Sequence, residues 1–475
     1  MNPYPDLYLA IDGEVIRGDH DRSAVLAPAT GKEIASLPLA SAADLDRALD
    51  AADRGFRIWR ATPVEERSVV LRRTAALLRE RKDIIAAIAS HEQGKTVAEA
   101  SAEVMMAAGS FEWAAEEARR IYGRMLVRPS GRRSIVTKEP VGPIAAFAPW
   151  NFPIDNPARK FSAALGAGCS VILKPAEESP ASALAVHRAL LDAGLPAAVA
   201  QIVFGDPDKL SRHLIASPVI RQISFTGSVS VGKHLMKLAA DGMKRTTFEL
   251  GGHAPVLVFD DADLEKAVTM TAASKYRNAG QVCISPTRFY VQDAIYERFV
   301  EAFAQKAGSH VLGDGLDPAT TMGPMANARR LPAMERLVED ARAHGARVVT
   351  GGSRGDGDGF FWQPTVLADV PMQAAVMNEE PFGPVAVMTR FRDFDDAITQ
   401  ANRLPYGLAA YAFTGSADRA LAVGEALEAG MVGINTTMVA GADTPFGGVK
   451  ESGHGSEEGP EGIESCLVTK AIHQG

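Results

Sequence analysis

The spacing of apolar residues changes period several times along the chain. Over residues 7–40, short apolar runs (Leu7-Tyr8-Leu9, Val15-Ile16, Val25-Leu26) alternate with Gly, Asp and Pro, a pattern of small strands and turns. From residue 41 to 123 the period is helical. Ser41 followed by Asp44 predicts an N-cap, and Val69, Val70, Leu71, Ala75, Leu77, Leu78, Ile84, Ile85 and Ile88 recur at helical intervals. His91 and Glu92 fall in this region and read as a solvated helix end rather than a ligand pair. Residues 132–139 are rich in Ile and Val between charged ends, which suits a projecting hairpin better than a core strand.

The pattern then alternates. Strands are expected at 141–149, 170–174, 200–204 and 222–225, each followed by a helical stretch, at 157–168, 182–193, 210–216 and 231–240. Such βα repetition predicts a parallel, doubly wound sheet, the usual frame for a nucleotide. A second α/β run follows. Its strands are expected at 254–259, 289–291, 347–349 and 409–413, and its helices at 264–277, 295–307, 332–344 and 395–402, with an exposed turn over 353–359. The tail, 462–472, holds a strand-like Cys466-Leu467-Val468-Thr469.

Composition narrows the class. A chain of 475 residues, 46% hydrophobic and 23% charged, is ordinary globular usage and long enough for two or three domains. The net charge of −8 argues against a sequence-independent nucleic-acid binder, which would be basic. No apolar run approaches a membrane span, and the first residues lack the basic and apolar regions of a signal peptide. Cys169, Cys283 and Cys466 lie too far apart to suggest a disulfide framework or a metal site. A protein of the reducing cytoplasm, without metal, is expected.

Candidate chemistry gathers in four short motifs. Cys283 sits behind Gly280-Gln281 at a helix-to-strand junction. It reads either as a thiolate nucleophile, activated by a lowered pKa or a nearby base, or as a small buried apolar residue. Glu249, between Phe248 and Leu250-Gly251-Gly252, is a carboxylate that desolvation would raise toward the range of a general base. Asn151, in Pro149-Trp150-Asn151-Phe152-Pro153, is an amide held by stiff backbone, as an oxyanion requires. Glu379-Glu380-Pro381-Phe382-Gly383-Pro384 is a second proline-bracketed acidic motif.

No GxGxxG occurs in the doubly wound region. Phe225-Thr226-Gly227-Ser228 leads from strand to helix and offers free backbone N–H groups to a phosphate. The turn lies one residue from a P-loop, but His234 stands where a hydroxyl would hold Mg²⁺, and an NTPase would leave Cys283 and Glu249 idle. Lys174-Pro175-Ala176-Glu177 ends a strand of the same sheet. A carboxylate there can accept both ribose hydroxyls of adenosine and would repel a 2′-phosphate; a surface salt bridge is the competing reading. Arg159, eight residues after Asn151, and Arg277, six before Cys283, can together clamp a carboxylate, or can be solvated or held in salt bridges.

In this order and at these intervals, the motifs resemble the aldehyde dehydrogenase superfamily over nearly the whole chain. The resemblance implies a doubly wound NAD-binding domain (1–123 and 142–250), a second α/β catalytic domain (251–440) and a projecting β-hairpin oligomerisation element (124–141 and 455–475). It implies that Cys283 attacks an aldehyde, that Asn151 and the Cys283 N–H hold the oxyanion, and that Glu249 activates water against a thioester. Gly227 and Ser228 would hold the pyrophosphate and Glu380 the nicotinamide ribose, with Pro149, Trp150, Lys174, Gly205, Leu250 and Phe382 along the cofactor. Glu177 implies NAD rather than NADP. Arg159 and Arg277 match arginines of succinate-semialdehyde dehydrogenases. Glu249-Leu-Gly-Gly-His253-Ala-Pro with Arg277-Asn-Ala-Gly-Gln-Val-Cys-Ile-Ser-Pro286 is similar to α-ketoglutarate-semialdehyde dehydrogenases. Two departures stand out: Ser285 replaces the second cysteine of a redox switch, and Ala440-Gly441-Ala442 replaces substrate-binding serines. The expectation is an NAD-dependent semialdehyde dehydrogenase, a homodimer or homotetramer with a small-molecule aldehyde substrate. A broad-specificity or betaine-type enzyme is the alternative, and an inactive structural member of the fold the remote one.

Overall fold

The computed structural model describes residues 4–18 and 21–474; residues 1–3 and 475, at the ends of the expected domains, lie outside them. Two sheets dominate, each with its own apolar core. The first has eight strands in the order Glu14–Ile16, Leu9–Ile11, Ala200–Ile202, Val171–Lys174, Ile144–Phe147, Gln222–Gly227, Arg245–Leu250, Gly453–His454. Its five central strands are parallel and run, in chain order, third, second, first, fourth, fifth. The order reverses between Ile144–Phe147 and Gln222–Gly227, which makes the crevice beyond their carboxyl ends the place for a ligand. Asn151 and Ser228 follow those two strands directly.

The second sheet orders Arg347–Thr350, Thr365–Ala368, Val385–Phe391, Arg288–Gln292, Pro255–Val258, Ala409–Phe413 and Met431–Ile434. All but the first are parallel. Both sheets carry buried apolar strands under helices, as parallel sheets must. The tail returns to the first sheet, where Gly453 pairs with Glu249. Gly453 has φ +124°, and a Cβ there would lie 1.9 Å from the Phe248 carbonyl, so only glycine lets the tail approach the Glu249 strand.

Local signals explain the element ends. The helix Ala42–Ala61 opens on Ser41, whose hydroxyl accepts the Asp44 N–H while the Asp44 carboxylate accepts the Ser41 N–H at 2.9 Å. Thr96 and Glu99 repeat that box at the start of Val97–Glu117. The helix Asp155–Ala167 stops at Gly168, in the left-handed conformation.

Two regions differ from expectation. Glu92 is not a solvated helix end but fully buried, because its partners come from far along the chain. Its carboxylate accepts the Tyr4 hydroxyl and the N–H groups of Ala181 and Ser182 at 3.0 and 2.8 Å, the open donors of the helix Pro180–Asp192. Within 455–475, Leu467–Gln474 pairs along its length with Arg133–Pro140, which also pairs with Arg124–Val127. The preceding helix, Gly459–Ser465, instead buries Ile463 in the first core. Among the described residues, no helix is long and apolar enough to cross a membrane, and no group of three His, Cys, Asp or Glu could hold a metal ion.

Candidate active site

A cavity of about 750 Å³ lies at the switch point of the first sheet and is walled on its far side by the second sheet's loops. It brings together Asn151, Glu249, Cys283 and Glu380, with Arg159 and Arg277.

Cys283 follows the helix Leu264–Tyr276 through an unusual turn. Asn278, Ala279 and Gly280 take φ of 51°, 50° and 71° in succession. Three left-handed residues in a row are costly and persist only where the surroundings fix them. Gly280 is obligatory, since a Cβ there would sit 2.2 Å from the Gly383 carbonyl. The turn leaves Cys283 half-buried on the cavity wall. Burial pushes its thiol up to about 12, and the neighbouring Glu380 and Glu249 carboxylates push the same way, against Arg159 and the Ile284 N–H. Of the two activation routes open in the sequence, a lowered thiol pKa is not one that the protein alone supplies.

Glu249 lines the same cavity. It is buried near the end of its strand, and neither carboxylate oxygen has a hydrogen-bond partner among the described residues. Burial, and then the charge of Glu457, raise its pKa well above the usual carboxylate range, while Lys160 and Arg159 oppose the shift. An unpartnered carboxylate on a cavity wall can take a proton from a thiol or a water.

Asn151 is 4% exposed and donates through Nδ2 to the Gln281 carbonyl at 3.1 Å, which ties it to the Cys283 turn. Its own carbonyl accepts Lys95 Nζ at 2.9 Å and Asn278 Nδ2 at 2.8 Å. Lys95 is also paired with the buried Glu103, whose other oxygen accepts the N–H groups of Ile154 and Asp155 at 2.7 and 3.0 Å. A satisfied buried network of this kind holds its members rigidly.

The two arginines part company. Arg159 is buried with its Nε 2.9 Å from Asp155 and 3.4 Å from Glu458, and its guanidinium lies 4.4 Å over the Phe446 ring. Its charge is already matched by two carboxylates. Arg277 is half-buried on the cavity wall, 5.6 Å over the Phe152 ring, with no acidic partner among the described residues. The symmetric clamp expected from the sequence is therefore one neutralised and one available guanidinium. Sequence spacing placed both beside the site but could not reveal Glu458, which arrives from the tail.

The expected cofactor residues lie at or beyond strand ends of the first sheet, apart from Glu380 and Phe382, which precede Val385–Phe391 of the second, and they do not all share one cavity. Pro149, Trp150, Gly227, Ser228, Leu250, Glu380 and Phe382 face the main cavity, with the Trp150 and Phe382 rings edge-on at 5.6 Å. Glu177 and Gly205 line a second cavity of about 480 Å³, with Asp206 on the same side and Asn327 and Arg329 opposite. The Glu177 carboxylate accepts Lys174 Nζ at 2.6 Å and the Gly205 N–H at 3.3 Å. Glu380 accepts the Gly252 N–H at 3.2 Å, and burial pushes its pKa up to about 8. Ser228 caps the helix Val229–Asp241 and lines the main cavity with Thr226 and Gly227. A capped helix start, two carboxylates and the switch point together fit a dinucleotide.

Sequence reading missed Lys160 and Glu457. Lys160 Nζ donates to Glu457 at 2.7 Å, Thr226 Oγ1 at 2.8 Å and Ser224 Oγ at 3.2 Å, beside Glu249. The helix that carries Lys160 is buried on nearly every face, which local sequence pattern did not reveal. His253, left without a role, holds structure: its ring nitrogens lie 2.8 Å from Thr287 Oγ1 and 3.0 Å from the Val376 carbonyl.

Comparison with known proteins finds relatives along nearly the whole chain. The chain is 50% identical over 467 residues to the 4-(hydroxymethyl)benzenesulfonate dehydrogenase of Comamonas testosteroni, covering 98% of this chain and 97% of that one. It is 44% identical to the succinate-semialdehyde dehydrogenase [NADP(+)] of Escherichia coli, covering 97% and 96%. A crystal structure of an E. coli NADP-dependent enzyme superposes with a TM-score of 0.97 at 43% identity, covering 99% and 98%. The model of the aldehyde dehydrogenase family matches residues 15–472, and the chain belongs to that family.

Proposed function

We propose that this enzyme oxidises a short aldehyde bearing a distal anion, succinate semialdehyde or α-ketoglutarate semialdehyde, to the acid. Arg277 carries the reading: it is a guanidinium on the cavity wall with no acidic partner among the described residues. A half-buried cation without a counter-ion is unfavourable, and an anionic substrate would supply one.

In this reading Glu249 takes the thiol proton of Cys283 as sulfur bonds to the carbonyl carbon. The new oxyanion receives hydrogen bonds from the Asn151 amide and the Cys283 N–H. Glu177, Gly227, Ser228 and Glu380 hold NAD(P)⁺, which when bound supplies the hydride acceptor. Loss of hydride leaves a thioester on Cys283, and Glu249 passes the first proton to solvent; it then takes a proton from the water that attacks the thioester and gives it to the departing sulfur, so the acid leaves as the thiol re-forms.

NAD is preferred over NADP, because Glu177 would meet a 2′-phosphate with like charge. Lys174, paired to Glu177, weakens that repulsion without removing it. A second substrate reading has its own support. Ala440 lines the cavity where a hydroxyl-bearing residue would narrow its choice, and the Comamonas relative is named for a sulfonate. Sulfonate and carboxylate would share the Arg277 anchor. The protein assembles as a homodimer or homotetramer through the hairpin, whose Met125 and Val127 are 58% and 78% exposed.

A steady-state panel following NADH absorbance tests the reading. Succinate semialdehyde, α-ketoglutarate semialdehyde and 4-sulfobenzaldehyde should each exceed the uncharged aldehyde of like size in kcat/KM. Equal rates with uncharged aldehydes would point to the broad-specificity enzyme.

A further inference from the structure

The Cys283 turn and the Asn151 turn come from different parts of the chain, yet both must present a donor to one oxygen atom. Their relative placement is set by a residue that does not touch the cavity. Asn278 is 2% exposed and left-handed, with φ 51° and ψ 38°. Its Nδ2 donates to the Asn151 carbonyl at 2.8 Å and, more weakly, to the Gln281 carbonyl at 3.4 Å. Asn151 Nδ2 donates to that same Gln281 carbonyl at 3.1 Å. Three residues thus close a ring of amides between the two turns.

The ring is anchored from outside. Asn278 Oδ1 accepts Gln93 Nε2 at 2.9 Å, which fixes which end of the amide faces the turns. Its backbone N–H donates to Glu99 at 2.7 Å, and its carbonyl accepts both the Gln281 side chain and the Gln281 N–H at 3.0 Å. Every polar group of Asn278 is therefore committed. Asparagine meets both demands of the position: it tolerates the left-handed conformation and carries a donor amide on a short stem.

We propose that Asn278 is a positioning residue for aldehyde oxidation, its side-chain amide locking together the two segments that supply the oxyanion donors. The inference rests on the roles given above to Asn151 and Cys283. The amide acts through Asn151 and Gln281, so its loss would misplace the donors rather than remove them. Removing one oxyanion donor outright typically costs about 10²–10³ in rate, and misplacement should approach the lower figure.

The test compares Asn278→Gly with Asn278→Asp. Glycine keeps the left-handed backbone and removes the amide; aspartate keeps the shape and turns the donor into an acceptor facing two carbonyls. Both variants should lose about 30–100-fold in kcat with KM changed less than about threefold. Alkylation of Cys283 by iodoacetamide builds no oxyanion, so its rate should stay within about threefold, as should NAD⁺ binding. A glycine variant with near-wild-type kcat would overturn the proposal, because the backbone conformation would then suffice. Parallel losses in kcat, alkylation, NAD⁺ binding and Tm would also overturn it, in favour of a folding role. Failure of the parent reading shows separately, as aldehyde turnover that survives Cys283→Ala.

Discussion

Replacing Arg277 with Ala should reduce kcat/KM for succinate semialdehyde far more than for butyraldehyde. The guanidinium is half-buried on the cavity wall, over Phe152, and no carboxylate among the described residues competes for it. Losing one partner of a buried, hydrogen-bonded ion pair costs about 2–5 kcal/mol, and partial exposure places Arg277 toward the lower end. At about 1.4 kcal/mol per factor of ten, about 2–3 kcal/mol lowers kcat/KM by roughly 30- to 150-fold. Butyraldehyde has a similar chain and no carboxylate, so it should lose little. Arg159→Ala should behave differently. It strands Asp155 and Glu458 in the interior without their cation, so it should lower Tm and depress both substrates together. Rates are read from NADH absorbance under subsaturating aldehyde, beside thermal unfolding of each variant. If Arg277→Ala lowers both aldehydes equally, or neither, Arg277 is not the anion anchor and the semialdehyde assignment fails.

Three further outcomes are expected. Cys283→Ala should abolish aldehyde oxidation while leaving NAD⁺ binding within several-fold, since the cofactor residues lie on other strands; a titration of NAD⁺ with each protein checks this. Glu177→Ser should narrow the preference for NAD over NADP in kcat/KM by removing a like charge from the 2′-phosphate. Equal use of both cofactors by the wild type would defeat that account. The rate of thioester hydrolysis should fall as pH falls through the raised pKa of Glu249, well above the usual carboxylate range, because only the ionised form is a base. Single-turnover rates across pH check the sign, and a rate that falls as pH rises through neutrality would contradict it.

Much of the frame was legible from local pattern. The helical period after Ser41 and its capping Asp44 appear as the helix Ala42–Ala61, and the strand expected at 409–413 is the observed Ala409–Phe413. These signals are carried by neighbours within a few residues, where hydrophobic period and side-chain capping act. Contacts between distant segments were not legible. Glu92 looked solvated because Ala181 and Ser182 are about ninety positions away. Arg159 read as half of a substrate clamp because Glu458, which with the nearby Asp155 matches its charge, reaches it only through the returning tail. Lys160 and Glu457 escaped for the same reason, as did the ring of amides around Asn278. A buried charge signals its partner's existence but not its address in the sequence.

The covalent mechanism is tested most directly by trapping its intermediate in Glu249→Gln. Without the base for hydrolysis, about 10²–10⁴-fold of the deacylation rate is lost, and the acylated enzyme accumulates if acylation still proceeds. The variant, mixed with NAD⁺ and succinate semialdehyde, should release about one NADH per active site and then stall. Intact-mass and peptide analysis should find a succinyl group on the peptide that carries Cys283. Undiminished steady-state turnover, or a burst with no acyl group on Cys283, would contradict the account.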